Sequence, residues 1–257
     1  MIQIDEPRLK FIAEAAKEAY KKYVDLDNLT IKDKSKFDLV TTIDLDIEKY
    51  LISKINKEYP NDKILSEETN STTEVSDYTW TIDPIDGTYN MANGIRMFGI
   101  QISMYLNNDI YLSFIHIPVL GETYYAVKGK GAYLNDKRIK VNNRNLEHCI
   151  VSFGDFPHNS LVNLETQNKL MLGLAKKVAK IRMFGAACVD FSSVAAGKID
   201  GTILFTKNKW DLAPGLLLCK EAGALIKDLD GDYNKDSYVA LALSTEELYE
   251  DFKEANK

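Results

Sequence analysis

Apolar residues recur at three- and four-residue spacing through Leu9, Ile12, Ala13, Ala16, Ala19, Tyr20 and Tyr23, with lysines and glutamates between them. That spacing predicts an amphipathic helix with one buried and one solvated face. Residues 31–37, carrying Lys32, Lys34 and Lys36, show no such face and read as a mobile loop. A second helix follows, with Ile47, Tyr50, Leu51 and Ile55 on its apolar side. Thr41 and Asp44 form a capping box at its start, with Asp in place of the usual Glu, and Pro60-Asn61-Asp62 ends it. Short strands are expected over 63–66 and 78–82, either side of a polar loop of Ser, Thr and Glu.

From Gly99 the period changes to two: Ile100, Ile102, Met104 and Leu106 alternate with smaller or polar residues. Asn107-Asn108-Asp109 turns the chain into 110–117, and Gly121 and Gly129-Lys130-Gly131 punctuate strands over 123–127 and 132–134. This is an antiparallel meander. Beyond about 150 the rhythm becomes strand and helix in alternation. Strands are expected at 150–153, 181–184, 202–205, 225–227 and 238–243, and helices at 164–178, 187–196 and 212–222. Gly197 and Gly223 close two of these helices, and Ser244 caps a final one. The result is an α/β layered (α+β) fold. A soft boundary separates an N-terminal half, 1–145, from a C-terminal half, 146–257, packed closely as one unit.

Composition narrows the function. The 257 residues carry a formal charge of −6, which argues against a nucleic-acid partner, since that would need a basic face. A phosphorylated substrate stays open, because a bound divalent cation inverts the local field. No apolar run is long enough to span a bilayer. The opening residues lack the basic and apolar regions of a secretory leader. Cys149, Cys188 and Cys219 are far apart among apolar neighbours and read as buried free thiols, so a reducing cytoplasm is the expected location. His116, His148 and His158 have no partner at metal-ligand spacing, which argues against a zinc hydrolase.

Four places carry hard oxygen ligands. In Trp80-Thr81-Ile82-Asp83-Pro84-Ile85-Asp86-Gly87-Thr88 a strand runs directly into two carboxylates. Pro84 stiffens the turn so that both point at one centre, Gly87 allows close backbone approach, and Thr88 adds a hydroxyl. Such a set suits Mg²⁺ or Mn²⁺ better than zinc. The others are Leu65-Ser66-Glu67-Glu68-Thr69, Asp44 in Leu39-Val40-Thr41-Thr42-Ile43-Asp44, and Asp211 in Lys209-Trp210-Asp211-Leu212-Ala213-Pro214-Gly215. Taken singly, these read as an exposed acidic loop and two helix caps; their weight lies in converging. Asp228-Leu229-Asp230-Gly231-Asp232 reads as a turn, because its glycine comes too early for a calcium loop. Nothing matches a dinucleotide fingerprint, a P-loop or a nucleophile elbow.

Together the motifs resemble those of the inositol monophosphatase family of magnesium-dependent, lithium-sensitive phosphatases. Asp83-Pro84-Ile85-Asp86-Gly87-Thr88 matches its first signature and Trp210-Asp211-Leu212-Ala213-Pro214-Gly215 its second, with Gly185-Ala186-Ala187 in order between them. The resemblance implies an alternating helix–sheet sandwich and a hydrolase for a small phosphorylated substrate. It makes Glu67, Asp83 and the Ile85 carbonyl ligands of one ion, and Asp83, Asp86 and Asp211 ligands of a second, the lithium-sensitive one. Glu67 would also hold a weaker third ion through water. Asp44 and Thr88 would orient and deprotonate the attacking water, and the Gly87 and Thr88 N–H groups would meet the phosphate. Two such cations would activate water and stabilise the leaving oxygen. Crowded carboxylates repel one another, so a loose site is expected before Mg²⁺ binds. A homodimer is the family default.

The substrate pocket departs from the pattern. Inositol-preferring members carry an acid ahead of the second signature where this chain has Leu204, whereas Ala187 is retained. A leucine cannot pair with a sugar hydroxyl, and the lost hydrogen bond is worth about 1–3 kcal/mol. Inositol monophosphate therefore stands beside NADP 2′-phosphate and fructose 1,6-bisphosphate as a candidate substrate. A regulatory or binding protein using the same fold is the alternative of a different class. The proposed ligands are all present, which speaks for an enzyme.

Overall fold

The computed structural model describes residues 2–26, 29–72 and 74–257. Helix α1 (Pro7–Tyr23) opens with Pro7 in its first turn and buries Leu9, Ile12, Ala13, Ala16 and Ala19, the stripe read from the spacing. Residues 31–37 are not a loop. Strand β1 (Ile31–Ser35) pairs antiparallel with β2 (Asp38–Thr41) in a two-stranded hairpin. Every position of β1 is exposed, so no alternation betrays the strand. The capping box at Thr41 and Asp44 is present at the start of α2 (Thr42–Glu58).

A seven-stranded sheet follows, made of β3 (Lys63–Ser66), β4 (Thr79–Asp86), β5 (Gly99–Leu106), β6 (Asp109–Ile117), β7 (Glu122–Val127), β8 (Ala132–Leu134) and β9 (Lys137–Ile139), paired in that order. Only β3–β4 is parallel; the rest is the expected meander with one added short strand. The polar loop before β4 includes Thr73, which lies outside the described residues. A single-turn helix, α3 (Thr88–Ala92), interrupts between β4 and β5.

The second sheet is mixed. Strand β10 (Ile150–Phe153) lies between β11 (Lys180–Arg182) and β12 (Gly201–Phe205), both parallel to it. Antiparallel β14 (Val239–Leu243) and β13 (Leu225–Lys227) complete it. Helix α4 (Leu161–Leu174) starts a turn earlier than expected, because Ser160 caps it by accepting from the Asn163 N–H. Thr245, not Ser244, caps the last helix, α7 (Glu246–Ala255).

Between the sheets lie α5 (Ala187–Ala195) and α6 (Lys209–Glu221). One apolar core joins α1 and α2 to the seven-stranded sheet, a second surrounds α5 and α6, and a third joins the five-stranded sheet to α4 and α7. The layers thus run helix, sheet, helix, sheet, helix, the sandwich the resemblance implies. Gly215 permits the central contact. A Cβ there would lie 2.1 Å from Cδ2 of Phe191 on α5. No helix among the described residues is long and apolar enough to cross a membrane.

Candidate active site

A cleft of about 520 Å³ opens between the two sheets. Into it β4 delivers both aspartates of the first signature. In a regular strand, residues three apart face opposite sides. Here β4 continues through Pro84, and its register against β5 slips, with Asp83 opposite Gln101 but Asp86 opposite Gly99. The extra residue is a β-bulge, which reverses the alternation and turns both carboxylates to one side. Proline is tolerated there because a bulge needs one ladder N–H fewer. The common orientation therefore comes from a bulge within the strand, where the sequence suggested a turn after it.

Asp83 is buried, and its Oδ2 accepts from Gln101 Nε2 at 3.4 Å. Its Oδ1 has no hydrogen-bond partner among the described residues. Burial raises its carboxyl well above the usual range, and Glu67, Asp86 and Asp211 each push it further. Asp211, in the first turn of α6, is raised by burial and then by Glu67 and Asp86, while Thr206 Oγ1 donates to it at 3.2 Å. The four carboxylates thus share one field. Asp86 also caps α5. Its Oδ1 accepts from the Ala187 N–H at 3.2 Å and its Oδ2 from the Cys188 N–H at 2.6 Å, so the first signature anchors the central helix.

Glu67 stands at the end of β3. Burial pushes its carboxyl up to about 7, against the lowering charge of Lys34. The Lys34 Nζ on β1 lies 3.0 Å from Glu67 Oε1 and 3.0 Å from Glu68 Oε1. Burial works against the Lys34 charge, but these two carboxylates outweigh it and hold the ammonium well above its usual range. Among the described residues, no three His, Cys, Asp or Glu side chains stand close enough together to hold one ion. The donor set is nevertheless one that fits a hard cation: oxygen only, mutually repelling, with an orphaned buried oxygen on Asp83.

Asp44 sits fully buried behind Thr88. Its Oδ2 accepts from the Thr41 N–H at 2.9 Å and from the Thr41 hydroxyl, and its Oδ1 accepts from Thr88 Oγ1 at 2.9 Å. Burial raises the Asp44 carboxyl, partly offset by those donors. Thr88 Oγ1 is also 2.8 Å from the Ile85 carbonyl, an alternative acceptor for the same proton. Thr88, but not Asp44, lines the cleft. Gly87 starts α3 with φ of 88°. A side chain there would meet Ala186 Cβ and the Met97 carbonyl at 2.9 Å, so only glycine fits. Ala187 and Leu204 also line the cleft.

Acids outside the predicted set also bear on the site. Glu48 on α2 accepts from the Glu68 N–H at 2.9 Å and from the Thr69 hydroxyl, pinning the segment that carries Glu67. Its signal was available: Asp44 and Glu48 are four apart among the buried residues of α2, where solvated acids do not belong. Asp190, in α5, lines the cleft floor, and burial raises its carboxyl well above the usual range.

The profile of the inositol monophosphatase family matches residues 3–257. The chain belongs to the inositol monophosphatase family. It is 35% identical over 195 residues to the fructose-1,6-bisphosphatase/inositol-1-monophosphatase of Thermotoga maritima, covering 76% of this chain and 73% of that one. It is 33% identical over 237 residues to the Nus factor SuhB of Pseudomonas aeruginosa, covering 89% and 88%. The crystal structure of the Bartonella henselae extragenic suppressor protein SuhB superimposes with a TM-score of 0.87 at 29% identity, over 98% of this chain and 99% of that one. The protein is a phosphatase, a phosphoric monoester hydrolase that uses a metal cofactor.

Proposed function

We propose that the cleft releases phosphate from small monoesters, inositol monophosphate among them, with Mg²⁺ as cofactor and Mn²⁺ as its substitute. The observation that carries this reading is the buried Asp44, bonded to Thr88 in the cleft that the carboxylates of Glu67, Asp83, Asp86 and Asp211 also line. Glu67, Asp83 and the Ile85 carbonyl would hold one cation and Asp83, Asp86 and Asp211 a second, lithium-sensitive one, with Glu67 serving a third. Bound there, Mg²⁺ supplies positive charge for the phosphate and a lowered pKa for water.

The remaining work falls to the chain. Thr88 Oγ1 accepts a proton from the attacking water and passes its own to Asp44 Oδ1, which burial makes a stronger base than an exposed aspartate. The Thr41 bonds hold Asp44 in one rotamer for that transfer. Gly87 and Thr88 present backbone N–H groups to the phosphate, and Ala187 and Leu204 shape the wall against which the alcohol rests.

Phosphate release from inositol 1-phosphate, NADP, fructose 1,6-bisphosphate and adenosine 3′,5′-bisphosphate, with and without Mg²⁺, tests this. Turnover with Mg²⁺ that vanishes in Asp83→Asn supports it; no turnover of any of them sinks it. Leu204→Glu is expected to shift preference towards inositol 1-phosphate.

We further propose a cytoplasmic homodimer. The buried thiols of Cys149, Cys188 and Cys219 suit a reducing compartment. Tyr89, Ile95, Met97 and Met183 form an exposed apolar group around Asn90, whose Nδ2 bonds the Met97 and Phe184 carbonyls at 2.7 Å. Light scattering measures the mass, and Met97→Glu should shift it to monomer. One observation favours a second reading, a regulatory role through a partner: the likeness to Nus factor SuhB. The net charge of −6 opposes direct nucleic-acid binding. A chain that binds Mg²⁺ yet hydrolyses nothing would support that role.

A further inference from the structure

Two rings close the mouth of the cleft from opposite sides. Phe37 stands beyond β1 on the hairpin, and its residue surface is 51% exposed. His158 stands on the loop between β10 and α4. Their centroids are 4.2 Å apart with an interplanar angle of 22°, a face-to-face stack across the gap between the halves. Both line the cleft that also holds Asp83, Asp86 and Gly87. The lining near them mixes apolar Phe156, Ala187, Leu204 and Phe205 with the carboxylates of Asp155 and Asp190.

Resting on the phosphatase reading above, we propose that Phe37 and His158 form a ring-stacking subsite. It selects phosphate monoesters whose alcohol carries a planar heteroaromatic ring, a nucleoside being the simplest. Such a ring presents a π-face to each partner and needs no hydrogen bond from the wall, so Leu204 is no handicap to it. Admitting it between the rings requires the hairpin to retreat by one ring thickness. The strand that would give way is β1, exposed at every position and tied to the cleft by the Lys34 ion pair with Glu67 and Glu68, while β2 stays partly buried. Lys36 Nζ, 5.0 Å from the Phe37 ring centre, adds a cation beside the stack for the anionic ester.

The test compares adenosine 2′-monophosphate with glycerol 2-phosphate, which carries no ring, by kcat/KM in Mg²⁺. Base–aromatic stacking predicts that Phe37→Leu lowers the ratio between them by about 5- to 150-fold, and that Phe37→Tyr restores it. A simple latch between the halves would alter both substrates alike, so an unchanged ratio in Phe37→Leu overturns the proposal. A second measurement needs no turnover. In Phe37→Trp kept in EDTA, adenosine 2′-monophosphate should quench the introduced tryptophan and glycerol 2-phosphate should not, with wild type giving the blank for Trp80 and Trp210. Equal response to both, or to neither, also overturns it. If no ester is hydrolysed by any variant, the phosphatase reading fails, while the quenching still decides the ring subsite.

Discussion

Strand β4 and the β1–β2 hairpin face the same cleft with opposite construction. All but the last residue of β4 is buried, and the strand is bonded on both sides, to β3 and β5. The hairpin is a two-stranded ribbon exposed along β1. The first carries Asp83 and Asp86, the second Lys34 and Phe37. Carboxylates that repel one another need a frame that cannot relax away from them, and a bulge in a central strand is such a frame. A group that must admit and release a substrate needs an element whose opening costs little.

The sharpest way to break that comparison is to remove chemistry from the rigid side. Asp83→Asn keeps the shape and deletes a charge that would serve two cations. Removing even an outer partner of a metal ligand costs about 10- to 100-fold, so Mg²⁺-dependent phosphate release should fall by more than about 100-fold. Thr88→Val should lose about 10²- to 10⁴-fold in kcat, the range for a positioned acid–base group, with a smaller change in KM. A Thr88→Val enzyme with unaltered kcat would remove the Asp44–Thr88 pair from the mechanism.

The frame itself can be tested next. Gly87→Ala forces a side chain into a left-handed backbone and within 2.9 Å of Ala186 Cβ and the Met97 carbonyl. A loss of roughly 1–3 kcal/mol in unfolding free energy is expected. A comparable alanine in the hairpin, at exposed Lys32, should change stability by less than about 0.5 kcal/mol in urea unfolding. Equal losses at the two sites would erase the distinction between rigid and yielding walls.

How far the sequence discloses this arrangement depends on burial. The helices α1 and α2 are legible because one face of each is buried, α6 because a mostly apolar run is closed by Gly223, and the meander because its apolar runs are separated by turn residues. Asp83 and Asp86 are legible because Asp83 to Thr88 is dense in oxygen donors with a glycine, whereas Glu67, Asp44 and Asp211 are legible only by converging with that motif. The hairpin was not, since no residue of β1 is buried and alternation has nothing to report. Nor was the bulge, because Asp-Pro-Ile-Asp reads equally as a turn. Glu48 is legible only from its place four residues after Asp44, since as an acid on a helix its type alone points to a solvated face. Gly215 belongs to the second signature, yet its tightest neighbour is Phe191, so that part of the motif is packing. The order of the layers came from the family resemblance, which periodicity alone does not supply.

Proton linkage gives a smaller, graded test of the carboxylate side. Without a cation, burial holds Glu67 up to about 7 against an ordinary 4.5, and Asp83 and Asp211 are raised as well. The folded state then binds more protons than the unfolded chain, so this cluster's contribution is full below about pH 4.5 and is lost as pH rises through 7. In EDTA the melting temperature should fall by several degrees over that window. Mg²⁺ should recover it at the alkaline end, since a ligand of the folded state alone stabilises it. Asp83→Asn should flatten the EDTA profile. A profile indifferent to both Mg²⁺ and that substitution would mean that the cluster is relaxed by solvent.

The smallest expected effect lies where the two regions touch. The Lys34 ammonium satisfies Glu67 and Glu68 at 3.0 Å each, so a cation binding Glu67 has to displace it. The side chains are partly solvated, 31% for Lys34 and 21% for Glu67, and an ion pair of that kind is weak. Lys34→Met should therefore tighten Mg²⁺ binding, read by calorimetry, by no more than about fivefold. The direction decides between two roles for the hairpin. Tighter binding means that its lysine competes with the cation and that occupancy of the site frees the hairpin to move. Weaker binding means that Lys34 holds Glu67 in a ligating position, and the hairpin then belongs with β4 as part of the frame.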